Sequence, residues 1–150
     1  MSIKKNGDSK LSNVIFYSID RAIRAYRQYA QKQIRDKGFD ITIDQWLVMK
    51  SLLENPGIKQ QDLAESVFKD NASVTRIIEL LVKNGYLDRS THQTDRRMTQ
   101  ITITAKGKEV LKALQPVVAS NRRKALQHLD DSAIEQAKEL LDKIAENCKQ

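Results

Sequence analysis

Apolar residues recur at Leu11, Ile15, Ile19, Ala22, Tyr26, Ala30 and Ile34, three or four positions apart. That spacing places them on one side of an α-helix and predicts a long amphipathic helix closed by Gly38. Val14, Ile23 and Tyr29 widen the stripe. A helix of roughly 25 residues is longer than a small core needs, so part of it is available to another subunit. A second helix, capped by Thr42 or Asp44, carries Trp46, Leu47, Met49, Leu52 and Leu53. Asn55-Pro56-Gly57 breaks the chain. A short helix follows from Gln60 to about Val67, with Leu63, Ala64 and Val67 inward. Asp70 or Asn71 starts a fourth, in which Val74, Ile77, Ile78, Leu81 and Val82 form the buried stripe.

Asn84-Gly85 ends that helix, with glycine suited to a left-handed cap. The period then changes from about 3.6 to 2. Tyr86 to Ser90 is a short extended segment, and the run to Thr104 alternates, with Ile101 and Ile103 on one side and Gln100, Thr102 and Thr104 on the other. The pair reads as a β-hairpin with a long polar tip holding Asp95-Arg96-Arg97. Thr104 can cap a fifth helix running to about Leu129, with Pro116 inside it as an expected kink. Asp130 or Asp131 caps the last, whose stripe is Ile134, Ala137, Leu141, Ile144 and Cys148. The expected fold is therefore mostly α with a small β-hairpin.

Composition adds a partner. The 150 residues carry 26 Lys and Arg against 19 Asp and Glu, a formal charge of +7. The excess is concentrated: residues 1–37 contain nine basic and three acidic side chains, and residues 71–108 balance at +4. Two basic regions on an otherwise balanced chain suggest a polyanion partner; solubility alone is the other reading. One cysteine excludes an intrachain disulfide framework. The opening residues contain no apolar run of signal-peptide type, and nothing approaches the ~20 apolar residues of a spanning helix. A cytoplasmic protein without membrane contact is expected.

A short helix, a turn and a longer helix with a polar outer face form a helix-turn-helix, and the hairpin after it makes a winged helix. With Val74, Ile77, Ile78 and Leu81 inward, Asn71, Ser73, Thr75, Arg76 and Glu79 are outward or lateral. Small hydrogen-bonding residues at a helix N-terminus can approach phosphates and base edges closely, and Arg76 can grip a guanine edge or a phosphate. A capped, solvated face is the alternative. An arginine on a hairpin tip gains little from exposed ion pairs, worth about 0–1 kcal/mol. Beside a helix seated in the major groove, it can enter the neighbouring minor groove, whose negative potential favours a guanidinium. Asp95 then holds the Arg97 guanidinium or ties down the turn.

These segments resemble the MarR family, the multiple-antibiotic-resistance regulators. The family's wing pattern, D-x-R, five residues, then L-T-x-x-G, is matched by Asp95-Arg96-Arg97 and by Ile103-Thr104-Ala105-Lys106-Gly107, with Ile for Leu. Leu63-Ala64 and Ser73-Val74-Thr75-Arg76-Ile77-Ile78 through Leu81 to Gly85 match its helix-turn-helix. The resemblance implies one MarR-type domain over 1–150. Its DNA-binding lobe would span 42–104, with dimerisation helices at 11–37 and 105–148. It implies a homodimer on double-stranded DNA with an inverted-repeat operator. The helix from Asn71 would lie in the major groove and Arg97 in the minor groove, leaving Arg96 as a backbone contact or solvated. Members are mostly repressors, often released by a small aromatic or anionic ligand or by thiol oxidation. Tyr17, Tyr26 and Trp46 are candidates to line the ligand cleft; the other reading makes them core or dimer-interface residues. Cys148 lies on a C-terminal apolar stripe, away from the first helix where redox-sensing members carry their cysteine, and reads as a packing residue.

No enzyme is expected. There is no phosphate-cradling glycine loop, and His92 and His128 are too far apart in sequence for metal-ligand spacing. Asp130-Asp131 reads as a helix start, and no cofactor is implied. The expectation is a sequence-specific repressor. Two alternatives stand beside it, a winged-helix module for protein contacts and a nonspecific architectural DNA-binding protein.

Overall fold

A computed structural model describes residues 10–91 and 99–150. A 3-10 turn, Leu11–Asn13, precedes α1 (Ile15–Asp36). The continuous helix expected from Leu11 is interrupted because Val14 is extended, with φ −93° and ψ 122°, a backbone region that suits a β-branched residue. At the other end Gly38 adopts φ +88°. It allows Gly38 N–H to donate to the Arg35 carbonyl at 2.9 Å and Phe39 N–H to that of Ile34 at 3.1 Å, which closes the helix.

Next come α2 (Ile43–Glu54), α3 (Gln60–Ser66) and α4 (Asn71–Lys83). Thr42, not Asp44, caps α2: its hydroxyl accepts from Gln45 N–H at 3.0 Å and the Gln45 side chain accepts from Thr42 N–H at 3.0 Å. Asp70 caps α4 by accepting from Ser73 N–H at 2.7 Å. Strands β1 (Leu87–Thr91) and β2 (Thr99–Ile103) pair antiparallel, with Leu87 opposite Ile103 and Arg89 opposite Ile101. The alternation is as expected, with Ile101 buried and Gln100 and Thr102 exposed. Then α5 (Ala105–Ala125) and α6 (Asp131–Asn147) complete the chain. The fifth helix runs through Pro116 as one element but ends before the expected Leu129. A turn with His128 at φ +66° leads to α6, which Asp130 caps.

The core gathers Val48, Met49, Leu63, Val74, Ile78, Leu81, Leu87 and Leu114. It is built from α2, α3, α4, the hairpin and the first half of α5. Each such side chain contributes about 1.5–3 kcal/mol through removal from water. Val48 is buried where Leu53 was expected; Leu53 is 41% exposed. Only the second half of α1 joins this core, through Ile34, with Ala30 buried one turn before it. There Gln31 fastens α1 to the α2 entry, donating to the Ile41 carbonyl at 3.1 Å and accepting from Ile43 N–H at 2.9 Å.

The two ends of the chain differ from the lobe. Leu11, Ile15, Phe16, Tyr17 and Ile23 are exposed, as are Leu126, Leu129, Leu140 and Leu141. Among the described residues none of α6 is buried. No described helix is long and apolar enough to cross a membrane.

Candidate nucleic-acid interface

The α3–turn–α4 unit presents a polar cluster where the two helix N-termini meet. Asn71 and Arg76 are exposed, and Ser73 and Thr75 are half-buried beside them. The four expected residues all lie in the first two turns of α4, as two pairs, Asn71 with Thr75 and Ser73 with Arg76. The Asp70 cap organises its start. Hydrogen bonds from the Ser73 backbone and hydroxyl, aided by Arg76 and Lys69, hold the Asp70 carboxyl below its ordinary range. Arg76 Nη2 lies 3.3 Å from Ser73 Oγ, a contact loose enough to exchange for an external acceptor.

Gln60, the first residue of α3, completes the cluster and was not anticipated. Its Nε2 donates to Thr75 Oγ1 at 2.6 Å and to Asn71 Oδ1 at 3.1 Å. Thr75 Oγ1 in turn donates to the Asn71 carbonyl at 2.9 Å. Periodicity reports which side of a helix is buried; it does not report which polar side chain reaches across to a neighbouring helix.

The turn before α4 is pinned from behind. Asp44 of α2 accepts from Arg27 of α1 and pairs with Lys69 Nζ at 3.2 Å. Partial burial pushes the Asp44 carboxyl up, but the hydrogen bonds and charges of Arg27 and Lys69 outweigh this and hold it below its ordinary range. One carboxylate therefore joins α1, α2 and the entry to α4. Next to Lys69, Phe68 has φ +60° and is 94% exposed. An aromatic residue held in the left-handed region with nothing packed on it carries strain without a packing return.

On the other flank, the Thr104 hydroxyl caps α5 by accepting from Gly107 N–H at 3.0 Å and donates to the Gly85 carbonyl at 2.6 Å. Lys106 reinforces this junction, donating to the Asn84 carbonyl at 2.8 Å and lying 4.9 Å from the Tyr86 ring centroid. The hairpin thus projects directly from the end of α4. The remaining interface candidates, Asp95, Arg96 and Arg97 with neighbouring His92, lie outside the described residues.

Trp46 is half-buried and lines a cleft of about 370 Å³ between α2 and α5. Lys50, Lys108, Lys112 and Arg122 share this cleft, and the Arg122 guanidinium is 5.9 Å from the Trp46 ring. Tyr17, exposed on the first turn of α1, and Tyr26, half-buried further along it, do not line that cleft. The three aromatic candidates are therefore not brought together within one chain. The four cations were missed because they come from positions 50 to 122 and converge only once α2 packs on α5.

A short helix, a tight turn, a helix with a polar leading edge and a hairpin beside it define a winged helix-turn-helix, a DNA-binding architecture. The family model described as MarR family matches residues 41–99. The chain is 32% identical over 113 residues to the HTH-type transcriptional regulator YhbI of Bacillus subtilis, covering 73% of each chain. The chain belongs to the MarR family of winged-helix transcriptional regulators. Its fold is shared with BpsR of Bordetella bronchiseptica, solved to explain regulation of DNA binding by 6-hydroxynicotinic acid. The TM-score is 0.83 at 22% identity, covering 93% of this chain and 98% of that one. The fold is also that of S. aureus MepR in complex with DNA, with TM-score 0.78 at 20% identity, covering 91% and 97%.

Proposed function

We propose that this chain acts as a homodimeric repressor that binds an inverted-repeat operator and is released by a small anionic aromatic ligand. The observation that carries the DNA-binding part is the polar leading end of α4, where Asn71, Ser73, Thr75 and Arg76 lie exposed or half-buried within its first two turns. In this reading α4 enters the major groove, Arg97 reaches the minor groove, Arg96 lies near the backbone and Asp95 orients the wing. The lobe spans 42–104, and 11–37 with 105–148 form the dimer. The dimer is supported by the exposed apolar residues at both ends of the chain, which a second copy would remove from water. A two-fold axis then sets half-sites about one helical turn apart.

The ligand is supported by the Trp46 cleft. An aromatic carboxylate would find a ring to stack on and four cations to pair with. Tyr17 and Tyr26 belong to the dimerisation helix α1 in this reading, and reach a ligand only with the second copy's help. BpsR, whose DNA binding is regulated by 6-hydroxynicotinic acid, supports a ligand of this class.

The test is a gel shift of wild type and Arg97→Ala on the DNA flanking the chain's own gene, with melting curves alongside. Arg97→Ala is expected to lose operator affinity at unchanged melting temperature. Unchanged operator binding would refute the wing role, and equal affinity for operator and random duplex would favour an architectural protein.

A further inference from the structure

The hydrogen bonds around Gln60 determine what the leading edge of α4 offers to DNA. The Thr75 hydroxyl has a single proton, and it goes to the Asn71 carbonyl 2.9 Å away. Toward Gln60 that oxygen can only accept, so the Gln60 group 2.6 Å from it is the amide nitrogen. The same nitrogen lies 3.1 Å from the Asn71 side chain, so the atom facing it there must accept, and it is Oδ1. Both protons of the Gln60 amide are then used within the protein. The Asn71 amide is oriented with Oδ1 inward and Nδ2 as its outward group. Gln60 keeps only its Oε1 for an outside donor.

We infer that Gln60 is a specificity-determining residue that fixes Asn71 as a donor beside its own acceptor, and that the pair reads adenine in the major groove. Adenine is the one base whose own major-groove edge sets an acceptor, N7, beside a donor, the N6 amino group. Guanine presents two acceptors, cytosine one donor, and thymine an acceptor with a methyl group. Each of those leaves one of the two amides facing a group it cannot bond, and an unpaired polar group at a dried interface is disfavoured. The polarity is set before DNA arrives, so little ordering remains to be done on binding.

This rests on the DNA-binding reading above, and the test separates the two. Wild type, Gln60→Ala, Gln60→Glu and Asn71→Ala are each used to select duplexes from a randomised library, with circular dichroism melting as a check on folding. Wild type is expected to enrich adenine at one position per half-site. Asn71→Ala and Gln60→Ala are expected to lose that preference by about tenfold or more and to keep the preferences elsewhere in the site. In Gln60→Glu the carboxylate can only accept. Asn71 then turns its nitrogen inward, the edge presents acceptors alone, and cytosine is expected to replace adenine. If wild type selects a defined sequence and the Gln60 variants select the same bases at every position, Gln60 has no part in specificity and the inference fails alone. If wild type selects no sequence, the inference and the DNA-reading function fail together.

Discussion

Replacing Gly107 by alanine would put a carbon atom where there is no room for one. A Cβ at this position would lie 2.3 Å from the Tyr86 carbonyl oxygen and 2.7 Å from Ile103 Cγ2. An ordinary C···O contact needs about 3.3 Å, so α5 and the start of the hairpin must separate by about 1 Å. The obstructing oxygen is backbone and already accepts from Thr104 N–H at 3.1 Å, so no side-chain rotation relieves it. Overpacking of this kind costs about 1–3 kcal/mol, and a rigid neighbour places this case toward the upper end. Alanine returns about 0.5–1 kcal/mol because glycine is a poor helix residue. The net expectation is a loss of about 1–2 kcal/mol, or roughly 5 °C in melting temperature for a chain of this size. Thermal unfolding followed by circular dichroism measures it, and operator affinity should fall as the wing is displaced. An unchanged or raised melting temperature would show that the α5–hairpin contact yields freely. This clash also explains physically why the wing pattern ends on glycine.

Asp44→Asn removes the carboxylate shared by Arg27 and Lys69 and should cost about 1–2 kcal/mol in urea unfolding, between exposed and buried pairs. Because that carboxyl is held below its ordinary range, its contribution is complete above that range and is lost as the pH falls through the lowered value. The stability gap between wild type and D44N should therefore close in acid; a gap independent of pH would rule out the ionic explanation. Phe68→Gly removes a left-handed cost of about 1–2 kcal/mol against a glycine entropy cost of about 0.5–1 kcal/mol. Its urea midpoint should rise, and a clear fall would mean that Phe68 packs on a second copy. Arg76→Ala should weaken operator binding and, if Arg76 contacts phosphate, lower the slope of log affinity against log salt by about one. An unchanged slope with altered base preference would assign it to a base instead.

Most of the fold was legible in the sequence because each helix buries one stripe and each break has its own chemistry. Gly38, Asn55-Pro56-Gly57 and Gly85 punctuate the chain, and the switch of period after Gly85 announces the hairpin. Boundaries were less legible where two candidates compete for one role. Thr42 outcompetes Asp44 as cap of α2 because Gln45 stands three residues on to complete the box, leaving Asp44 free to pair with Arg27 and Lys69. The α4 face was legible from its own sequence. What lay across elements was not: Gln60 bonding to Thr75, and four cations converging on Trp46, depend on how helices cross. Tyr17, a candidate for the ligand cleft, lies off the periodic stripe of α1 and reaches no core of its own chain.

The Thr104 hydroxyl gives the molecule its mechanics. Directly after the second strand, it ties the turn that follows α4 to the first turn of α5 at one point. A 21-residue α5 is a lever about 30 Å long. In the proposed dimer, tilting it by about 10° would sweep its far end through about 5 Å, a large error against two DNA-binding lobes about 34 Å apart on successive major grooves. In that dimer, small movements at the base of α5 would be enough to take both lobes out of step with the pitch of the double helix.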